Sequence, residues 1–454
     1  MNTQDSIAAI ATPAGRGGIG VIRVSGNAAK KIALAMLGKI PAARQAEYLP
    51  FLDGQAQVVD QGIALFFPKP HSFTGEDVLE LQGHGGPIIL DMLLQEILRQ
   101  GVRLAQPGEF SQRAFLNDKI DLVQAEAIAD LIDASSKQAA RCAVQTLQGG
   151  FSDRIDQLVE DTIALRIFIE AAIDFPEEEI DFLEDASLCH RIQNLVNQLS
   201  DIEAGAQQGS LLREGLRLVI AGKPNAGKSS LLNRLADRES AIVTPIPGTT
   251  RDVLREHIQI AGLPIHLLDT AGLRETHDLV EQEGVRRAWR EMETADRILL
   301  LIDAVTGIGE EEIAILHQLN PTTPLTILRN KIDLNQQAPG RDKDYFYQQR
   351  RIDVLNISAK TGDGIEVLRS YLLETAGYQQ QTEGSFLARR RHLDALHRAK
   401  ISMNAAQQEL LHGKQGELMA EQLRRVQECL SEITGSFTSD DLLGKIFSSF
   451  CIGK

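Results

Sequence analysis

The chain has 454 residues, of which 43% are hydrophobic, and a formal net charge of -15. At about 100 to 200 residues per domain, this length predicts two to four domains, with enough apolar residues for packed cores. The negative charge argues against strong, unaided binding to nucleic acid, because that affinity comes largely from Lys and Arg displacing counterions.

The cysteines and the apolar segments indicate a soluble, cytoplasmic protein. Met1–Thr12 is polar and lacks the basic and apolar regions of a signal peptide. No apolar stretch reaches the roughly 18 residues of a membrane-spanning helix, so we expect no membrane span. The four cysteines form no C-x-x-C pair, which argues against a zinc knuckle or a disulfide framework.

Residues 1–118 predict a compact α+β domain. Pro13–Gly20 is rich in glycine and predicts turns, Val21–Val24 is a short β-branched run, and Asp77–Leu81 alternates as a strand does. The glycine cluster precedes a strand, whereas a dinucleotide fingerprint follows one, so we interpret it as turn chemistry. His84 suggests a metal ligand or a structural histidine, and the structural role is favoured because no His or Cys lies at ligand spacing.

Two helical segments flank the middle of the chain. Ile120–Leu212 and Leu387–Lys445 have apolar residues at helical spacing. This pattern predicts that the intervening segment is inserted into one helical domain, with its ends near Glu214 and Gln380. Arg389–His392 is interpreted as a solvated helix face, with a phosphate contact as the alternative.

The inserted segment begins with a phosphate-binding motif. Leu216–Ala221 is an apolar run of strand length, and the loop Gly222–Ser229 (G-K-P-N-A-G-K-S) and a helical pattern from Ser230 follow it. In such a loop the backbone N–H groups hold phosphates, Lys228 reaches the β- and γ-phosphate oxygens, and the Ser229 hydroxyl binds magnesium. The loop alone indicates a nucleoside triphosphate.

Further strands place polar motifs at their ends. Strand-like segments run over Glu256–Ile260 and Ile265–Leu268 around the turn Ala261–Pro264, and over Arg297–Ile302 and Pro324–Leu328. Alternation with helical patterns predicts a doubly wound α/β domain. The second strand ends in Asp269-Thr270-Ala271-Gly272, where Asp269 suits a carboxylate near magnesium.

The N-K-x-D box Asn330, Lys331 and Asp333 identifies the base. The Asp333 carboxylate can accept two hydrogen bonds, from N1–H and the 2-amino group of guanine. Adenine has no such donor pair on that edge and would leave a desolvated charge without a partner. The chain is therefore expected to bind guanine nucleotide, with the Ser358-Ala359-Lys360 loop after the strand Asp353–Ile357 closing over the base.

Family-specific segments extend this interpretation to the whole chain. They are Gly248-Thr249-Thr250-Arg251-Asp252, Gln106–Phe110, Phe115–Lys119 and the terminal Phe450–Lys454. With the motifs above, they resemble the MnmE (TrmE) family of tRNA modification GTPases, and the C-terminal C-I-G-K is highly specific to that family.

The resemblance implies a multidomain fold and a function. The fold comprises an α+β tetrahydrofolate-binding-like domain that also mediates dimerisation (1–118), an α-helical domain (119–213 and 381–454), and a Ras-like α/β P-loop GTPase domain inserted into the helical domain (214–380). The family adds a carboxymethylaminomethyl or aminomethyl group to C5 of the wobble uridine of certain tRNAs. The implied partners are a second copy of the chain and, in a heterotetramer, the FAD-binding protein MnmG (GidA).

The resemblance also implies the ligands. The implied cofactors are GTP, Mg²⁺, K⁺ and 5-formyltetrahydrofolate or another tetrahydrofolate one-carbon donor. The positions that match the folate contacts are Arg23, Glu80, Lys119 and Lys454, whose charges suit an anionic pterin-glutamate. The implied GTP contacts are Asn225, Ala226, Gly227, Lys228, Ser229, Ser230, Thr244, Pro245, Ile246, Pro247, Gly248, Thr249, Thr250, Asp269, Thr270, Ala271, Gly272, Asn330, Lys331, Asp333, Ser358, Ala359 and Lys360.

Hydrolysis needs a substitute for the usual catalytic groups. Ras-like enzymes use a glutamine in the second switch and an arginine finger, but here Leu273 follows Gly272. The resemblance implies that potassium replaces the finger, with Asn225, Thr244, Ile246 and Thr249 as its ligands, while Ser229 and Thr250 bind magnesium. The implied catalytic residues are Glu281, which orients water through a bridging water, Lys228 and Thr250. Glu283 is a rival, but the V-E-x-x-G pattern favours Glu281.

Two other functions stay open. A pure switch, such as a ribosome-assembly GTPase, would be expected to carry a C-terminal RNA-binding domain rich in Lys and Gly, whereas Leu387–Lys454 has a helical pattern. A folate-dependent transferase in which GTP is only regulatory is the other. Cys451 is a candidate nucleophile, but no activating histidine is visible, so a packing role is equally compatible.

Overall fold

The computed structural model describes residues 5–174, 186–236, 255–269, 292–320, 322–347, 350–379, 385–413, 415–436, 440–448, 450 and 453. In chain order its helices and strands are β1 (Ile7–Ile10), β2 (Gly17–Ser25), α1 (Ala29–Leu37), β3 (Glu47–Leu52), β4 (Val58–Phe67), β5 (Val78–Gly85), α2 (Pro87–Arg99), β6 (Arg103–Leu104), α3 (Glu109–Leu116), α4 (Leu122–Ile132), α5 (Lys137–Leu147), α6 (Ser152–Asp174), α7 (Ala186–Glu214), β7 (Leu216–Ala221), α8 (Lys228–Ala236), β8 (Arg255–Ile260), β9 (Leu263–Asp269), β10 (Arg297–Asp303), α9 (Glu310–Gln318), β11 (Leu325–Asn330), β12 (Gly340–Tyr347), β13 (Arg350–Asn356), α10 (Ile365–Ala376), α11 (Arg390–Gln408), α12 (Gly416–Thr434) and α13 (Asp440–Ser448). A 3-10 turn, Ile332–Leu334, follows β11, and a π-helical turn, Glu409–Gly413, follows α11.

The chain divides into two compact units. The first comprises residues 1–132, 146–199 and 395–454, and the second comprises residues 133–145 and 200–394. Within this multidomain fold, the exact boundaries of the three domains expected from the sequence stay a prediction. No helix in the described part of the chain is long and apolar enough to cross a membrane.

The first unit contains a six-stranded sheet with the strand order β3-β4-β5-β2-β1-β6. Its core is apolar and includes Ile22, Val24, Leu79 and Leu81, because alternate side chains of β2 and β5 point to one face. The glycine cluster differs from the expected turn. β2 already begins at Gly17, with an irregular register up to Gly20, because residues without side chains let that stretch continue the pairing with β5.

Helices complete the first unit. α6 packs along α12. α4 and α13 share an apolar cluster that includes Phe447 of α13 and the following Phe450. These helices confirm the helical segments expected on either side of the insert, since their buried residues recur at helical spacing.

The second unit contains a seven-stranded sheet with the order β12-β13-β11-β10-β7-β9-β8. β7, β9, β10, β11 and β13 run parallel, and the two edge strands, β8 and β12, are antiparallel. Among the parallel strands, β7, β10 and β11 are mostly apolar runs, as expected where both faces of a sheet are covered. The expected turn Ala261–Pro264 is shorter than predicted: Leu263 and Pro264 belong to β9, where they pair with Ile260 and Gln259.

An ion cluster closes one end of the first sheet. The buried Arg113 on α3 donates to Asp5 at 2.7 Å, to Glu109 at 3.0 Å and to Glu76 at 3.1 Å. Arg103 also contacts Asp5 and Glu109. Burial opposes ionisation of Asp5 and Glu109, but the two guanidinium groups outweigh it and hold the pKa of both carboxyls below its ordinary value.

We expect Arg113→Met to lower the free energy of unfolding of the first unit by about 3 kcal/mol, because it removes one of the two guanidinium groups that neutralise Asp5 and the buried Glu109. Urea unfolding of the full chain, followed by circular dichroism, measures the change. The lowered pKa values mean that the cluster stabilises the fold above the ordinary carboxyl pKa and loses this effect as pH falls. The difference between wild type and variant should therefore shrink below about pH 4, and a difference that is constant across pH would contradict an ionic origin.

Candidate nucleotide-binding site

The phosphate loop lies at the carboxyl end of a central strand. It connects β7 to α8 and holds three positive φ angles: 149° at Gly222, 63° at Asn225 and 101° at Gly227. A Cβ at Gly222 would lie 2.4 Å from the Leu301 carbonyl oxygen, and one at Gly227 would lie 2.3 Å from Nδ2 of Asn330. Both glycines are therefore required by close approach as well as by φ.

Lys228 opens α8 and folds back over the loop. Its Nζ donates to the carbonyl oxygens of Gly222 at 2.7 Å and of Lys223 at 3.0 Å. Ser229 and Ser230 follow in the first turn and are exposed. An ammonium group and a helix N-terminus next to each other favour negative charge, which suits phosphate oxygens.

Asn330 joins the phosphate loop to the loop Ser358-Ala359-Lys360, here called the base-recognition loop. Its side chain is 2% exposed at the end of β11. Nδ2 donates to the Ala226 carbonyl oxygen at 2.8 Å, and Oδ1 accepts from the Ala359 N–H at 2.9 Å. Both ends of the amide are thus used, which fixes its orientation and the distance between the two loops.

Lys331 adopts a left-handed conformation, with φ of 67°, and pairs with Asp303 at 2.9 Å. The hydrogen bond from Lys331 holds the pKa of the Asp303 carboxyl below its ordinary value. Asp303 was missed in the sequence. It is the polar residue that ends β10, and β10 pairs in parallel with β11, so the edge of the sheet brings it beside the N-K-x-D box.

Asp333 lies in the 3-10 turn and accepts a 2.6 Å hydrogen bond from the Ser358 hydroxyl. Ser358 is buried, and its N–H donates to the Asp363 carbonyl oxygen. Arg234 on α8 donates to the carbonyl oxygens of Ala359 and Lys360, at 3.3 and 2.6 Å. The base-recognition loop is therefore tied to the helix that follows the phosphate loop, a contact that the motifs did not indicate.

Several predicted site residues lie outside the described residues. They are Thr244, Pro245, Ile246, Pro247, Gly248, Thr249, Thr250, Thr270, Ala271, Gly272, Glu281 and Lys454, together with the rival Glu283 and the candidate nucleophile Cys451. Asp269 is the last residue of β9, which pairs in parallel with β7. Asp269 therefore lies on the strand next to the one that leads into the phosphate loop.

A second candidate site lies on the sheet of the first unit. Arg23 on β2 and Glu80 on β5 are register partners and form an ion pair of 2.8 Å. The Arg23 guanidinium lies 5.7 Å from the ring centre of Phe110 and 5.8 Å from that of Phe73, and it donates to the Gly453 carbonyl oxygen at 3.4 Å. Two of the four predicted folate contacts thus meet beside the residue that precedes Lys454.

Lys119, the remaining predicted folate contact, follows α3. Its side chain lies next to Gly75, where an added Cβ would be 3.5 Å from the Lys119 Cε. His84 does not form a metal cluster: its ring Nδ1 lies 2.7 Å from Oδ1 of Asp60. Within the described ranges, no group of three or more His, Cys, Asp or Glu side chains is placed to hold a metal ion.

Two protein-family models together match nearly the whole chain. The model for the GTP-binding protein TrmE N-terminus matches residues 6–119, and the model for the MnmE helical domain matches residues 122–451. The chain is 59% identical to the tRNA modification GTPase MnmE of Proteus mirabilis strain HI4320 over 459 aligned residues, with 100% of both chains covered. It is 58% identical, with the same coverage, to the protein of that name from Yersinia pestis bv. Antiqua strain Angola.

Solved structures match over part of the chain. A crystal structure of Aquifex aeolicus Era bound to GDP and AlF4- is 26% identical, covers 41% of this chain and 66% of its own, and has a TM-score of 0.28. The G domain of the Thermotoga maritima FeoB iron transporter is 26% identical, covers 36% of this chain and 98% of its own, and also has a TM-score of 0.28.

We expect Asp333→Asn to weaken GTP binding roughly a hundredfold, because an amide offers one acceptor and sets its NH2 against the guanine 2-amino group. Isothermal titration with GTP measures the loss. The matched control is Asp363→Asn in the loop that carries Ser358, where the exposed carboxylate accepts from Thr361. Equal competition by ATP in the wild type would contradict selection of guanine by Asp333.

Proposed function

The chain belongs to the MnmE (TrmE) family of tRNA modification GTPases, and from this premise we propose that it couples GTP hydrolysis to modification of the wobble uridine of certain tRNAs. The proposed reaction adds a carboxymethylaminomethyl or aminomethyl group at C5, with a folate one-carbon donor and the FAD-binding protein MnmG (GidA) as partner. The observation that carries the proposal is the identity of 59% along the full length of the chain.

The chain is a GTP-hydrolysing enzyme, and its residues divide the work of holding the nucleotide. Lys228 and the loop N–H groups bind the phosphates, and Lys228 exchanges its two loop carbonyl oxygens for phosphate oxygens. Asp333 binds the guanine edge while Ser358 orients its carboxylate. Asn330 holds the two loops at the spacing of one nucleotide.

The residues present fit the two metal ions of the proposal. Magnesium would be held by Ser229 and Thr250, and it neutralises charge on the β- and γ-phosphates. Potassium would be held by Asn225, Thr244, Ile246 and Thr249, and it supplies the positive charge that an arginine finger supplies elsewhere. In the described loop, Ser229 presents an exposed hydroxyl and Asn225 an exposed amide, which are the oxygen donors that such ions require.

Glu281 is the proposed water-orienting residue, since Leu273 follows Gly272 where Ras-like enzymes carry a glutamine. A carboxylate can orient the attacking water through a second water, because it accepts hydrogen bonds at both oxygens. When GTP and potassium are bound, the GTPase domains of two copies of the chain would meet across the face that carries Glu281.

The folate proposal rests on the site around Arg23. Its guanidinium attracts the carboxylates of a pterin-glutamate, and Glu80 accepts hydrogen bonds from the pterin amino and ring N–H groups. In the described structure these two charges form one ion pair of 2.8 Å beside the C-terminal segment. A folate would therefore compete with this ion pair. Its carboxylates would contact Arg23, and its pterin N–H groups would contact Glu80. Lys119 and Lys454 are the other proposed contacts.

A contact within the second unit supports coupling between the GTPase and the helical segment. The β8–β9 hairpin connects the residues before it, which include Thr249 and Thr250, to those after it, which include Glu281. Gln259 in this hairpin donates to the Ser135 carbonyl oxygen at 2.6 Å. A Cβ on Gly262 at its turn would lie 3.3 Å from Cβ of Gln138, so the turn packs closely on the start of α5.

The main test is mass spectrometry of tRNA nucleosides from a strain that lacks the gene and is complemented with variants. We expect the wobble modification to be lost in the deletion strain and with Lys228→Ala, which cannot hold the phosphates, or Arg23→Gln, which weakens folate binding. Arg425→Gln, in an exposed ion pair on α12, is the matched control and should restore full modification.

Each alternative function has its own outcome in this test. Unchanged nucleosides in the deletion strain would indicate a pure switch. Modification that persists with Lys228→Ala but not with Arg23→Gln would indicate a folate transferase in which GTP is only regulatory.

We expect GTP turnover to fall roughly a hundredfold when sodium replaces potassium at equal ionic strength, because the transition-state charge loses its counter-charge. Phosphate release at saturating GTP measures the rate. Glu281→Ala should cut turnover by a similar factor while GTP still binds, and Glu283→Ala is the matched control. Equal rates in the two salts would remove potassium from the proposal, and a larger loss with Glu283→Ala would assign the water to that residue.

A further inference from the structure

The second residue of the phosphate loop forms an ion pair with the helix that follows the neighbouring strand β10. Nζ of Lys223 lies 2.8 Å from Oε2 of Glu312, in the first turn of α9. The side chain of Lys223 is 32% exposed and that of Glu312 only 2%. The hydrogen bond from Lys223 to Glu312 holds the pKa of Lys223 above its ordinary value, so the lysine is charged at neutral pH.

Glu312 is a fixed anchor. The same Oε2 accepts from the Gly309 N–H at 2.9 Å, which caps the start of α9. A Cβ on Gly309 would lie 2.7 Å from Nζ of Lys223 and 3.3 Å from Oε2 of Glu312, so the ammonium lies directly against the backbone there. The carboxylate is therefore held by the backbone of α9 as well as by Lys223.

The backbone of Lys223 is part of the phosphate loop itself. Its carbonyl oxygen accepts from Nζ of Lys228 at 3.0 Å and from the Ala226 N–H at 3.3 Å. The side chain of Lys223 thus anchors a peptide of the phosphate loop itself. Any displacement of this peptide away from α9 would stretch the ion pair between Lys223 and Glu312, so the pair opposes movement of the loop.

We propose that Lys223 and Glu312 form a positioning pair, which restrains the phosphate loop and thereby sets the rate at which guanine nucleotide is released. Neither residue needs to contact the nucleotide. The pair acts through the loop backbone, and the proposal rests on the GTPase activity alone, independently of the proposed folate, potassium and tRNA roles.

The restraint is expected to be modest but measurable. A fully exposed ion pair contributes little because water screens both charges. Here one partner is buried and held by a second hydrogen bond, so the geometry is set before the pair forms. Loss of the pair also leaves a buried carboxylate without its counter-charge.

We expect Lys223→Met to raise the rate of GDP release about fivefold, which corresponds to the loss of one partly exposed ion pair. The measurement is the fluorescence decay of bound methylanthraniloyl-GDP when the full chain is chased with unlabelled GDP. Glu312→Gln keeps an oxygen for the Gly309 N–H and should give the same rise. Glu312→Gln should also raise KM for GTP, while kcat at saturating GTP stays within about twofold of the wild-type value.

Three variants separate positioning from general stability. The double variant Lys223→Met, Glu312→Gln should release GDP no faster than either single variant, because the two residues act as one pair. Lys223→Arg should restore slow release. Glu374→Gln is the matched control, because it removes a carboxylate that pairs with Arg341, also at 2.8 Å, elsewhere in the same unit.

Release at the wild-type rate in both single variants would overturn the proposal. So would an equal rise with Glu374→Gln, or additive effects in the double variant. If Glu312→Gln fails to fold by circular dichroism, Lys223→Met and Lys223→Arg decide the result, because that side chain is partly exposed. Absence of binding to wild type would instead contradict the assignment of the guanine nucleotide site.

Discussion

The side-chain amide of Asn330 is the interaction on which the nucleotide site depends. It hydrogen-bonds both to Ala226 of the phosphate loop and to Ala359 of the base-recognition loop. Its burial matters because a buried amide with both ends satisfied resists rotation, whereas an exposed amide exchanges its partners with water. Gly227 approaches the same side chain so closely that position 227 cannot accommodate a Cβ. The spacing between the two loops is therefore set by hydrogen bonds and packing within the protein.

Charged pairs along the same sheet edge extend this preorganisation. Lys331 pairs with Asp303 at the end of β10, and Lys223 pairs with Glu312 at the start of α9. Arg234 adds a connection from α8 to the base-recognition loop. Each pair joins segments that follow different strands, so displacement of one segment strains its neighbour. A site held in this way spends less of its binding energy on ordering loops when GTP arrives.

The first unit uses its charges differently. Arg113 and Arg103 hold Asp5 and Glu109 in a largely structural cluster. Arg23 and Glu80 form a separate pair on the sheet, beside two aromatic rings and the C-terminal segment. Arg113 and Arg23 both contact carboxylates. Arg113 is almost fully buried, whereas 23% of the Arg23 side chain is exposed. That exposure leaves Arg23 accessible to an anionic ligand. A chain with a net charge of -15 can therefore still attract carboxylates locally.

The amino-acid sequence by itself determined the parallel strands and the motifs at their ends. β7, β10 and β11 are found within about two residues of their predicted bounds, because strands buried on both faces are continuous apolar runs. β12 was not predicted, since the edge strand Gly340–Tyr347 is rich in charge and its pairing with β13 is not encoded locally. The same limit applies to the site. Gly222–Ser229 and the N-K-x-D box are local patterns, whereas the contacts of Asp303, Arg234 and Glu312 depend on which strand ends become neighbours. Only the tertiary structure decides that order, because hydrogen bonds between parallel strands join segments that are far apart in the chain.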